Sequence, residues 1–221
     1  MKVLLGLVDS IWELLMLINV LLYLYSAYNI KKLRSLNILT IYLALICTNQ
    51  LVSSYLSSLG ENNLFLFHVY LIIQFVCLSF FYKSLFTEKQ KHVVNILLVV
   101  VLITLLAYYL IWPEDFAYFN LPEILIATIP VLAYIMMHLY NSLSNKGDYL
   151  YFSGGLLVYL SISSLVFLLY ALLVDDVDNK ILSKETTSNI SDINVVSYFL
   201  LQIVIFIEWK INISKWKAKK V

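Results

Sequence analysis

The sequence predicts an all-α, polytopic integral membrane protein with seven transmembrane helices, and three observations carry that prediction. Of its 221 residues, 62% are hydrophobic and only 13% charged, too apolar a balance for a soluble domain of this length. The apolar residues fall into seven runs, each long enough for the roughly 20 helical residues that cross a bilayer core. The lysines and arginine gather on one side of the membrane those runs define.

The runs are Ile11 to Ile30, Ile38 to Ser58, Leu64 to Phe86, Val93 to Trp112, Leu121 to Leu143, Tyr149 to Val174 and Val195 to Ser214, and residues 1–221 read as one transmembrane domain. The first opens on Ser10-Ile11-Trp12-Glu13 and the fifth on Asn120-Leu121-Pro122-Glu123, both capping-box patterns that put Glu13 and Glu123 in exposed first turns. A first helix starting near Val3 would instead make Asp9 and Glu13 an acidic pair suited to a proton or cation. The second run carries Asn49, Gln50, Ser53, Ser54 and Ser57, and the third carries His68, Tyr70 and Gln74. His68 lies about opposite Tyr70 and Gln74 on the helical wheel and reads as a core histidine or as a proton or ion site. The fourth run is apolar on every face from Ile96 to Leu106, which suits a helix surrounded by lipid. Gly155, Tyr159 and Ser163 form a stripe on the sixth, and the seventh carries Tyr198 and Gln202.

With the N-terminus outside, the cytoplasmic loops and tail hold 12 of the 15 lysines and arginines, leaving Lys2, Lys180 and Lys184 outside with eleven of the fourteen acids. The positive-inside rule then gives N-out, C-in. The tail Lys215-Trp216-Lys217-Ala218-Lys219-Lys220 reads as a topology anchor at the inner surface rather than a nucleic-acid site. Cys47 and Cys77 lie within apolar runs with no paired spacing, as buried thiols do. His92 and His138 belong at inner helix ends, away from His68, so no three-histidine metal site and no cofactor is expected.

One internal echo organises the chain. Tyr70-Leu71-Ile72-Ile73-Gln74-Phe75-Val76 returns as Tyr198-Phe199-Leu200-Leu201-Gln202-Ile203-Val204. Tyr and Gln four apart share a helical face, and an amide in a membrane span turns toward protein or water. The first and fifth runs echo each other more faintly, so the expectation is a parallel 3+1+3 repeat in which the fourth helix restores orientation. This N-out layout resembles the broad transporter and opsin class of seven-helix proteins, which includes sugar-efflux (SWEET) transporters, PQ-loop proteins and microbial rhodopsins. The resemblance is one of layout: Lys210 lies near the inner end of the last helix, where it cannot hold a retinal, and Asn49-Gln50 stands where a Pro-Gln dipeptide would be sought.

The functional expectation is a multi-pass protein of the cell membrane that binds a small polar solute from outside, as a transporter or as the sensing subunit of a protein complex. Tyr70, Gln74, Tyr198, Gln202, Asn49 and Gln50 are the candidate ligand residues, with Glu13 and His68 as candidate proton or ion groups. Tyrosines and amides without a fixed charge suit a neutral or zwitterionic solute. The alternatives are a membrane-embedded enzyme acting on lipid and an accessory subunit without a ligand.

Overall fold

The computed structural model describes the backbone of residues 2–30, 32–113, 116, 121–144, 147–173 and 184–218, and their side chains except those of 2–10, 144, 170–173, 184–191, 214, 215, 217 and 218. Asn120, the acids Asp175, Asp176 and Asp178, the side chains of Asp9 and Ser10, and Lys219 and Lys220 lie outside what is described. Within it are seven helices: α1 Lys2–Asn29, α2 Arg34–Ser58, α3 Phe65–Leu85, α4 Glu88–Ile111, α5 Leu121–Ser144, α6 Leu150–Leu173 and α7 Lys184–Ala218. Each contains a stretch long and apolar enough to cross a membrane.

The helix ends follow local chemistry more than the edges of the apolar runs. Because α1 is already helical from Lys2, Ser10 lies inside it and the expected Ser10–Glu13 capping box does not start the helix. A capping box does form at Thr87, whose backbone N–H and hydroxyl both donate to Gln90 Oε1, at 3.2 and 3.1 Å, and starts α4. The end of α2 is a Schellman turn: Glu61 N–H donates to Leu56 O and Gly60 N–H to Ser57 O, both at 3.1 Å, with Gly60 at φ 74°. Leu64 N–H then donates to Asn62 Oδ1 at 3.0 Å to begin α3. This tight reversal brings Asn63 back onto Ser53.

Six helices form a closed ring in the order α1, α2, α3, α5, α6, α7, and α4 packs outside it against α3 and α5 alone. The triplets α1–α3 and α5–α7 meet at two seams, α3 with α5 and α7 with α1. Only Val94, Val101 and Leu105 of α4 are buried, so most of that helix is left for lipid, as its all-round apolarity implies.

Aromatic side chains fill the ring. Tyr23, Phe75, Phe81, Tyr82, Tyr134 and Phe152 are fully buried. Near the ring's lysine-rich end Trp216 is also fully buried, 5.8 Å from the Tyr23 ring and 5.5 Å from that of Tyr149. It therefore plugs the bundle instead of lying at the membrane surface. Beside it Tyr149 shares a hydrogen bond of 3.1 Å with Ser35, and burial lifts its hydroxyl well above the ordinary phenol value. Glu208 of α7, fully buried, accepts from Phe152 N–H at 2.9 Å. A carboxylate there satisfies an orphan donor in the first turn of α6 and meets the positive end of its dipole. Asn212 donates to the other oxygen.

Candidate functional site: an aromatic cavity and a buried carboxylate

At the end of the ring where α2 finishes and α3 begins lies a partly open cavity of about 260 Å³ between α1, α2, α3, α6 and α7. Its polar lining is Asn49, Gln50, Ser53, Asn63 and Asn194, and its rings are Trp12, Phe67, Tyr70, Tyr159, Phe167 and Tyr198. No lining side chain carries a formal charge. Lipid-facing polar groups are costly, and the cavity gives these amides water or a solute to meet.

The structure gathers Tyr70, Tyr198, Asn49 and Gln50 on this cavity, while Gln74 and Gln202 lie beneath it, 1% and 2% exposed. Tyr70 donates to Gln74 Oε1 at 2.6 Å, one helical turn along. Tyr198 donates to Met16 Sδ at 3.6 Å, and Gln202 Oε1 accepts from Asn19 Nδ2 at 2.9 Å. The two Tyr-Gln pairs approach each other through Tyr159 of α6, whose hydroxyl is 3.2 Å from that of Tyr70 and whose ring centre is 5.3 Å from that of Tyr198. A floor of phenols and amides thus separates the cavity from the aromatic core.

The walls are set by hydrogen bonds with one sense. Asn63 Nδ2 donates to Ser53 O at 3.1 Å and to Ser53 Oγ at 2.9 Å, and Asn49 Nδ2 donates to Leu66 O at 3.2 Å. A backbone carbonyl only accepts, so in both residues the nitrogen faces the carbonyl and the amide oxygen turns elsewhere. Asn194 buries its Oδ1 without a partner.

Glu13 is half-buried and accepts from Ser54 Oγ at 2.9 Å, bridging α1 to α2 one residue from the cavity wall. It is not the exposed first-turn cap expected of it.

Glu123 departs further from that expectation. It stands in the first turn of α5 but is 1% exposed, and its two oxygens accept from the imidazole Nδ1 of His68, itself fully buried, and from the Tyr109 hydroxyl of α4. Phe116 stacks on the imidazole with ring centres 4.7 Å apart, covering the pair. His68 Nε2 has no partner. The histidine faces away from the cavity, as its place on the wheel predicts, yet Phe67 beside it lines the cavity. Among the described residues no three histidine, cysteine, aspartate or glutamate side chains gather as a metal site would require.

Trp12, Asn63, Asn194, Phe67 and Phe167 are cavity residues that sequence reasoning missed. Their one shared signal is position: each lies toward the same end of its apolar run, on the side of the Asn49-Gln50 pair.

Fold and site together define a polytopic seven-helix membrane protein with a neutral, aromatic-walled cavity at one end. Compared with protein-family models, curated proteins and solved structures, the chain matches none. The resemblance to transporter and opsin layouts therefore extends to seven long apolar helices and no further.

Proposed function

We propose that the protein binds a small polar solute in this cavity, facing the outside of the cell membrane, as a transporter or as the sensing subunit of a complex. The observation that carries the reading is a cavity of about 260 Å³ that joins amide groups to six aromatic rings without a fixed charge. Concave, mostly apolar sites with a few placed polar groups are the usual form of small-molecule pockets. The outward direction rests on the 12 to 3 distribution of basic residues, which puts the cavity at the lysine-poor end. A thermal-shift screen of purified protein against sugars, polyols, amino acids and amines tests it. At least one class should stabilise the wild type and leave Ser53→Phe, which fills the cavity, unshifted. A shift that survives Ser53→Phe, or no shift with any class, refutes the reading.

The buried Glu123 and His68 support a second element, a proton-binding site. A carboxylate, an imidazole and a phenol withdrawn from water inside a membrane span are retained at high desolvation cost, and such groups mark proton pathways. In proteoliposomes an imposed proton gradient should drive solute accumulation by the wild type and not by Glu123→Gln. Equal accumulation by the variant would rule the site out.

A further inference from the structure

We propose that the ligand of this cavity is a small organic ammonium compound, recognised by aromatic faces and hydrogen-bond acceptors. The inference rests on the solute-binding reading and narrows it. The lining sets amide oxygens among six aromatic rings and holds no formal charge, a surface that suits a cation.

Asn63 uses both amide hydrogens on Ser53, Asn49 turns its nitrogen to Leu66 O, and Tyr70 gives its hydrogen to Gln74. Among the described residues neither Asn49 Oδ1 nor Asn63 Oδ1 receives a hydrogen bond in return. Gln50 and Asn194 keep their amide hydrogens, and Asn49 one of its two, unbonded among the described residues. Beside these N–H groups the cavity offers the amide oxygens of Asn49, Asn63 and Asn194, the last buried without a partner.

The rings complete the match. The negative faces of Trp, Tyr and Phe attract cations, and ammonium groups held in aromatic cages are the best-known use of that attraction. Tyr198 packs with two other lining rings, its centre 5.5 Å from that of Trp12 and 5.3 Å from that of Tyr159. Phe67 and Phe167, with centres 4.7 Å apart, make a second pair on the lining.

Titration calorimetry of the full chain in nanodiscs decides the matter, with ethanolammonium and choline as the charged probes. The neutral probes are choline's isostere with carbon in place of nitrogen, and glucose and inositol as polyols. Saturable binding of either ammonium, with the carbon isostere weaker than choline by about tenfold or undetectable, is the expected result. Tyr198→Leu and Phe167→Leu should each weaken it further, with helicity and melting temperature measured alongside to separate lost binding from lost folding. If one variant fails to fold, the other and the charge preference of the wild type still test the inference. Polyol binding with no preference for charge would overturn the ammonium assignment and leave the solute pocket standing. Failure of every probe to bind would overturn both.

Discussion

Replacing Glu123 with leucine removes the acceptor of two buried hydrogen bonds and leaves the Tyr109 hydroxyl and the His68 imidazole without it. Hydrogen bonds to a charged group contribute about 1.5–3 kcal/mol each in soluble proteins. Interhelical bonds inside membranes average nearer 0.6 kcal/mol, with a maximum of about 1.7. Removing one member of a buried pair adds the cost of the stranded partner, for a total of about 3–5 kcal/mol. Because His68 is fully buried and its Nε2 already lacks a partner, Glu123→Leu should fall near the lower end, at about 3 kcal/mol. The diagnostic quantity is the coupling. His68→Leu in the Glu123→Leu background should cost less than in the wild type by about 1.5 kcal/mol, since an apolar pair strands nothing. Detergent-driven unfolding in mixed micelles, read by circular dichroism for the four proteins of the cycle, provides the measurement. A Glu123→Leu protein within about 0.5 kcal/mol of wild type, or strictly additive single changes, would refute the buried pair and restore the exposed cap.

The remaining predictions concern packing, the α1–α2 bridge and topology. A methyl added at Gly155 would meet Val204 Cγ1 at 2.8 Å, so Gly155→Ala should destabilise the α6–α7 contact by about 1–3 kcal/mol. Gly154→Ala, with nothing within 4 Å, should be near neutral by the same melting assay. Glu13→Gln keeps an oxygen for Ser54 and should shift stability by less than about 1 kcal/mol, whereas Glu13→Leu loses the bond and should cost about 1 kcal/mol. In a cysteine-free background, a thiol at Asn189 should label in intact cells with an impermeant reagent, and one at Lys217 only after permeabilisation. The reverse pattern would invert the topology.

Seven helices were legible because the bilayer imposes one requirement on each, a long apolar run, and the runs alone satisfy it. The lipid-facing place of α4 was legible for the same reason, since a helix apolar on every face has no preferred side to bury. Glu123 was not. Three residues after Asn120, it has the spacing of a capping box, and nothing local distinguishes a carboxylate that turns back to the chain from one that turns inward to His68, 55 positions earlier. The box that does form, at Thr87 and Gln90, has the same spacing. Trp216 misled in a comparable way, because a Trp among lysines after a span fits an interfacial anchor, and only the fold of α7 brings it against Tyr23 and Tyr149. The Tyr-Gln echo identified two faces of the floor. That each Gln would satisfy protein partners below the cavity depends on side-chain register that spacing alone does not set.

A thiol at Ser53 in a cysteine-free background tests whether the proposed solute cavity opens to the outside. Ser53 lines the cavity, whereas Ser79 of α3 is fully buried and donates to Phe75 O at 2.7 Å. A charged, membrane-impermeant thiol reagent added to intact cells should modify Ser53→Cys and leave Ser79→Cys unmodified. A Ser53→Cys protein that is folded but unreactive from outside, or reactive only after permeabilisation, would contradict the account.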